Sequence, residues 1–453
     1  MATRRRRPRP AEAVIPPFEQ STKRRRAAAA ASSPWCSLHE DLVARIAERV
    51  LAGDLLDYVR FRAVCPHWRS STVDPRSRGV ADPRFHPHRW TMLPEGHGLH
   101  PGHARLRGHV RFFNRDTGAF VRAAVPELKD HCILDNPDGL LLLQRDADTA
   151  VRLLHPFTGD IICEFPPLTS LIPQLDHLTG HRPRLDLDEH KVQSFRRIFS
   201  AVAVAPATGA VTVLLFHEHI CRFSHASPGD RSWKLTSWSM NSVARTVGLR
   251  GSLYLACWGS FPEHSSIMRL DPPPSSSSSP SLLLPPQTIA TIPSELMILP
   301  ELVECDSEIL VVGSTDMSRS HLVVVRLADL LLSGDGEPAE PVLPLTSIGD
   351  HCIFFGMRSL AVSARGLPSV AGNSIIHCSS VRHDRLMQYN LGDGGTLSPA
   401  CDGDIVRTPP PSPHSIVHHL ITCCYRYFWN KGLIYCAMTK PTWGRTRKWR
   451  LGA

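Results

Sequence analysis

The sequence predicts an α+β multidomain chain in which a small three-helix unit precedes an all-β, propeller-like domain. Three observations carry this expectation. Residues 35–69 place Leu38, Leu42, Ile46 and Val50 at every fourth position, the spacing of one face of an amphipathic helix. From about 104 to 405 the pattern changes to short apolar runs divided by turn residues, which marks many short strands. Within that stretch Thr-Gly recurs at 117, 158 and 208, each time before an extended run. Intervals of 41 and 50 residues suit propeller blades, whereas a sandwich would show no fixed period.

Residues 1–34 hold nine Arg or Lys against two Glu in a setting of Pro and Ala, so they are expected to form a disordered basic tail. Its clusters, Arg4, Arg5, Arg6 and Arg7 and then Lys23, Arg24, Arg25 and Arg26, resemble a nuclear import signal, and a solvated tail fits them equally well. No apolar stretch long enough for a secretory signal or a membrane span follows them. The chain is therefore read as a soluble protein of the nucleus, the cytoplasm or both.

The helical unit spans 35–75. Glu40 and Asp41 occupy the first turn of its first helix, where the helix dipole favours anions, and Gly53 ends it. Asp54 is placed to cap a second helix with Leu55, Leu56, Val59, Phe61 and Val64, and Pro66 starts a third short turn near His67-Trp68-Arg69. So small a unit cannot bury all this apolar surface within itself. The surplus belongs either to the next domain or to another protein.

Residues 76–103 read as a polar linker, and 406–453 as a Pro-rich linker with an atypical basic tail. Between them, over 104–405, expected strands include 110–114, 139–143, 150–154, 160–165, 199–205, 211–216, 252–256, 266–270, 302–305, 309–313, 322–326, 352–356, 374–377 and 386–390. Turn residues such as Asp116-Thr117-Gly118, Pro137-Asp138-Gly139 and Phe157-Thr158-Gly159 lie between them. The number of blades is open between five and seven.

In order and spacing, Leu38, Glu40-Asp41-Leu42, Ile46, Asp54-Leu55, Phe61-Arg62-Ala63-Val64-Cys65 and Trp68-Arg69 resemble an F-box, the motif that attaches substrate receptors to the adaptor of SCF-type cullin ubiquitin ligases. The resemblance implies adaptor docking by Leu38, His39, Leu42, Ile46, Leu55, Val64, Cys65 and Trp68. One position departs, because His39 stands where the family usually has proline. The later region resembles the kelch-like propeller of a large plant family of F-box proteins. The residues that carry this are Asn136-Pro137-Asp138-Gly139, His155-Pro156-Phe157-Thr158-Gly159, Pro228-Gly229-Asp230-Arg231-Ser232-Trp233, Leu302 to Cys305, and Leu345 to Gly356. Together the two resemblances imply a non-catalytic substrate receptor whose partners are the adaptor, through it the cullin, and a target protein. A ligase-independent propeller, acting as a scaffold or binding a small ligand or carbohydrate, is the alternative.

Other chemistry finds little footing. The formal net charge of +9 sits in the ends, +7 in 1–34 and +5 in 439–453, which leaves about −3 for the middle, so nucleic-acid binding is not expected of the folded part. Thirteen cysteines without a Cys-x-x-Cys support neither a disulfide framework nor a structural zinc site, and most are expected to be small buried hydrophobes. Two donor-rich stretches, His86 to His109 and His414, His418, His419, Cys423 and Cys424, lack the ordered spacing of a metal site. No Gly-x-Ser-x-Gly, phosphate-binding loop or dinucleotide fingerprint is present, so no catalytic residue, cofactor or metal is assigned.

Overall fold

A capping side chain starts the first helix, α1 (Glu40–Gly53): His39 Nδ1 accepts from the Asp41 N–H at 3.3 Å. Asp54 then caps α2 (Leu55–Arg62), its Oδ1 accepting from the N–H groups of Leu56 at 2.8 Å and Asp57 at 3.1 Å. Pro66 stands at the first helical position of α3 (Pro66–Ser70), where its missing N–H costs nothing. Val43, Ala47, Leu55, Tyr58 and Phe61 are buried. The segment after α3 is held to α2, since the Tyr58 hydroxyl donates to Val73 O at 2.7 Å and Arg62 pairs with Asp74 at 3.1 Å.

This computed structural model describes residues 34–93, 109–174, 198–400 and 416–424, except 146, 207, 219, 241–244, 259–263, 274–281, 332–341, 357, 368–369, 380–384 and 393–394. The chain divides into two units, residues 1–74 and 75–453. No helix among the described residues is long and apolar enough to cross a membrane.

The second unit is a six-bladed β-propeller. Blade one holds β1 (Trp90–Met92), β2 (His109–Asn114) and β3 (Phe120–Ala124). Blade two holds β4 (His131–Asp135), β5 (Leu141–Arg145), β6 (Ala150–Leu154) and β7 (Ile161–Pro167). Blade three is β8 (Ile198–Val204), β9 (Val211–His217), β10 (Arg222–Ala226) and β11 (Lys234–Leu235). Blade four is β12 (Arg245–Leu249), β13 (Ser252–Cys257), β14 (Ser265–Leu270) and β15 (Gln287–Ile292). Blade five has β16 (Ile298–Cys305), β17 (Glu308–Ser314) and β18 (Leu322–Arg326), followed by the short helix α4 (Leu327–Leu330).

Blade six departs from a simple meander. Its strands β19 (His351–Phe354), β20 (Leu360–Ser363), β21 (Ser374–Ser379), β22 (Arg385–Asn390) and β23 (Thr396–Pro399) run in the order β20-β19-β21-β22-β23, with β19 and β21 parallel. The inner strands β4, β8, β12, β16 and β20 follow one another around the axis. Apolar side chains of adjoining blades fill the wedges between them, such as Leu142 and Leu153 of blade two with Val202 and Val213 of blade three.

Two expected boundaries move. The stretch 76–103 is not wholly a linker, because β1 pairs in register with β2 and Trp90 faces Asn114. Nor is 406–453 wholly a tail. Residues Ile416–Cys424 form α5, whose Val417, Leu420, Ile421, Cys423 and Cys424 are buried against Leu93 and Phe113 of the first blade and Phe354, Leu360 and Val362 of the last. The carbonyl of Cys424 accepts from the Arg358 N–H at 2.9 Å. This helix therefore packs where the ring closes.

The expected strands are present, although 139–143 opens with a 3-10 turn at Pro137–Gly139 before β5. Strands unforeseen in the sequence include the inner ones β4, β12 and β20. Among the described cysteines, Cys132, Cys257, Cys305, Cys352, Cys423 and Cys424 are buried, as their scatter suggests. The basic clusters at 4–7 and 23–26 and the basic end 439–453 lie outside the described residues.

Candidate functional site

The helical unit leaves part of α1 uncovered. Val43 and Ala47 point inward, while Leu42 (51% exposed) and Ile46 (37% exposed) stand one turn apart on an open face. Val64 is 58% exposed, and Val59 and Trp35, which were not among the expected docking residues, are 42% and 61% exposed. Of the remaining docking candidates, Leu38, Cys65 and Trp68 are half-buried. The Trp68 ring stacks on Phe61 at 4.3 Å between centroids, and its Nε1 donates to Trp35 O at 3.0 Å. Leu55 is corrected: at 4% exposure it belongs to the interior and offers no docking surface. His39 is exposed and has a φ of −57°, a value proline also adopts, so the departure at this position leaves the backbone unchanged and adds a cap.

The propeller axis carries the second cluster. Asp135, at the end of β4, is fully buried, and its Oδ2 accepts from Ser200 N–H at 2.6 Å and from Ser200 Oγ at 2.7 Å on β8. Arg358, in the turn between β19 and β20, pairs with the same carboxylate. Arg115, just after β2, donates to Glu304 of β16 at 3.1 Å and to the carbonyl of His88. His88 Nδ1 lies 3.5 Å from Asp138. Burial opposes charge on His88, but the hydrogen bond and charge of Asp138 outweigh it and raise the imidazole above its ordinary value. Burial likewise opposes ionisation of Asp138, yet His88, His86 and Arg358 hold it below the usual carboxylate range.

These pairs tie together blades one, two, three, five and six. The cavity lined by His88, Arg115, Asp138, Glu304 and Arg358, with Cys423 at its wall, has a volume of about 70 Å³. Small-molecule sites usually enclose roughly 300–1,000 Å³, and one water takes up about 30 Å³ of liquid. The axis is thus a plug of ion pairs that joins the blades, with room for a few waters.

The sequence motifs acquire physical roles around this plug. Asn136 Oδ1 accepts from Met92 N–H at 3.1 Å and its Nδ2 donates to Leu140 O at 2.7 Å, so the motif ties β1 to blade two. Gly139 has a φ of +79°, and a Cβ there would lie 2.1 Å from Pro87 O. His155 Nε2 bonds Phe85 O at 3.0 Å, and its Nδ1 accepts from Thr158 N–H at 3.0 Å, which requires the neutral imidazole. Each recurring Thr-Gly is one turn device. The threonine Oγ1 of 117, 158 and 208 accepts from the N–H two residues on at 3.3 Å, and the following glycine has positive φ.

Of the two donor-rich stretches, His86 and His88 lie in the propeller while His97, His100 and His103 fall outside the described residues, as does His414. Cys423 and Cys424 are buried in α5, where Cys423 Sγ lies 3.5 Å from Met92 O and Cys424 Sγ 3.3 Å from Phe354 O. Among the described residues nothing gathers these stretches into a metal site.

Fold and plug together define a six-bladed β-propeller preceded by a small helical unit. A family model described as the KIB1-4 β-propeller matches residues 112–396, more than half of the chain. The chain belongs to that family. No curated protein matches it. Solved structures share only distant similarity. An α-L-arabinofuranosidase (CtGH43) from Clostridium thermocellum ATCC 27405 is 12% identical, with 57% of this chain and 93% of that one covered at a TM-score of 0.22. A chain of the nidogen/laminin complex is 10% identical, with 63% and 86% covered at 0.29. The β-propeller domain of Cps50 (Swd1) from Myceliophteria thermophila is 11% identical, with 65% and 77% covered at 0.25. Scores this low carry nothing about chemistry to this chain.

Proposed function

We propose that this protein is a substrate-recognition subunit of an SCF-type cullin ubiquitin ligase, in which the helical unit docks the adaptor and the propeller binds a target protein. One observation carries the reading: α1 keeps Leu42 and Ile46 exposed although Val43 and Ala47 already provide its inward face. A helix that only capped its own unit would need one apolar face, and this one has two. Membership of the KIB1-4 β-propeller family and the F-box resemblance of residues 38–69 support the same assignment. In this role the chain is non-catalytic and acts by positioning its target. The axial cavity of about 70 Å³ is too small for a sugar ring and its neighbours, so it lends no support to a carbohydrate at the axis.

The test is co-purification of adaptor and cullin with the full chain. Leu42→Asp places a charge where an apolar contact is required, and because the side chain is exposed the unit should still fold. Retention of both partners by the wild type and its loss in Leu42→Asp is the expected result. Failure of the wild type to retain the adaptor, or equal retention by the variant, defeats the proposal.

A further inference from the structure

We propose that Cys305, Asp306 and His351 form a divalent-cation site of zinc type that pins the β16–β17 hairpin of blade five to the start of β19 in blade six. The thiol, a carboxylate oxygen and an imidazole nitrogen of these residues lie within 4.8 Å of one another. Asp306 and Ser307 form the two-residue turn of the hairpin, with φ values of 48° and 66°, and the turn sets the Asp306 carboxylate against the neighbouring blade.

Hydrogen bonding around His351 gives the reason a cation belongs there. His351 Nδ1 lies 3.3 Å from Ile348 O, and a carbonyl only accepts, so Nδ1 carries the proton. Nε2, on the other side of the ring, faces Asp306 Oδ1 at 3.4 Å, so a cation placed between them would be bonded by both. A backbone carbonyl fixing the far nitrogen is also the usual support for a metal-bound histidine.

The imidazole–carboxylate spacing suits a small tetrahedral ion, with the thiol within 4.8 Å of both. With metal–ligand bonds of about 2.0–2.3 Å, neighbouring ligands around zinc stand roughly 3.3–3.8 Å apart. The imidazole–carboxylate pair is already at that separation. Sulfur, nitrogen and oxygen together favour zinc over the oxygen-seeking calcium or magnesium. Of the charged groups near the thiol besides Asp306, Glu304 is paired with Arg115. Asp306 is 71% exposed at its side chain, which leaves a fourth position open to water.

The experiment titrates the full chain, first stripped with chelator, with Co²⁺ as a spectroscopic probe and then with competing Zn²⁺. One equivalent of cobalt should bind, with a thiolate-to-metal charge-transfer band that zinc displaces and Cys305→Ser abolishes. Asp306→Asn, at an exposed position that does not threaten folding, should weaken cobalt binding by at least about 100-fold, the upper range for loss of an outer-shell partner. If His351 is instead an imidazolium ion-paired with Asp306, no thiolate band will form and Asp306→Asn will leave cobalt binding unchanged. Either of those results, or a band that survives Cys305→Ser, overturns the site.

Discussion

Replacing Arg358 with Met should destabilise the propeller because it strands Asp135. That carboxylate is fully buried, and Arg358 supplies its counter-charge from the opposite end of the sequence, across the closure of the ring. Removing one partner of a buried pair typically costs about 3–5 kcal/mol. Asp135 would keep its bonds from the Ser200 N–H, the Ser200 hydroxyl and the Asn136 N–H, and the Arg358 side chain is 23% exposed, so the lower end, about 3 kcal/mol, is the better expectation. An unfolding entropy of about 2.1 cal/mol/K per residue over roughly 350 residues gives about 0.7 kcal/mol/K, hence a fall in Tm of about 4 °C. Thermal melts and urea titrations of four proteins, wild type, Arg358→Met, Asp135→Asn and the double variant, measure it. The double variant carries no stranded charge and should recover most of the loss, with a coupling of about 2 kcal/mol. A Tm shift below about 1 °C in Arg358→Met, or a double variant whose losses simply add, would refute the reasoning.

Two further outcomes follow from buried groups. Burial holds His155 at about 4 and His217 at about 3, below the ordinary imidazole value of 6.5. The unfolded chain therefore binds more protons below pH 6.5, so the stability these residues contribute is full above that pH and is lost as pH falls toward 4 for His155 and toward 3 for His217. At pH 5 the loss is about 2 kcal/mol for each. His88, raised by Asp138, works in the opposite direction. Urea midpoints at pH 7.5 and pH 5 should differ, with a smaller difference in His217→Asn, and equal midpoints in the wild type would contradict the buried neutral rings. Leu420→Ala in α5 removes a fully buried side chain and should cost about 2–5 kcal/mol, whereas a true tail would show no change in the melt.

The strands legible in the sequence are those that bury apolar residues in unbroken runs, such as Leu141–Arg145 and Val211–His217. Some of those that escaped carry buried polar residues, although β20 is a short apolar run. Strand β4 ends in Asp135, whose partners lie 65 and 223 residues away in Ser200 and Arg358, and β10 buries Ser224 and His225. A polar residue reads as a loop until its partner is known, and here the partners come from other blades. The helix α5 had a readable period in Val417, Leu420, Ile421 and Cys424, yet its setting between a Pro-rich stretch and a basic end marked it as tail. What it packs on, Leu93 and Phe113 some 300 residues earlier, leaves no local trace.

The Thr-Gly repeat led to the right fold by an imperfect route. Its three copies occupy the β2–β3, β6–β7 and β8–β9 hairpins, which are different positions within their blades, and inner strands begin at 131, 198, 245, 298 and 360, further apart on the whole than the repeat suggests. The dipeptide recurs because any tight hairpin profits from a threonine that caps the turn and a glycine that accepts positive φ, so it counts hairpins, not blades. The proposed docking face shows the complementary limit. Spacing alone marks Leu42 and Ile46 as an apolar row, and it cannot say whether the row faces in or out. That is decided by Val43 and Ala47, one position along, which fill the space beside the buried Leu55, Tyr58 and Phe61 and leave the predicted row in solvent. The residues that make α1 fold and those proposed to make it bind are thus neighbours on one helix. Substitutions at Val43 should act on stability, and those at Leu42 on adaptor binding.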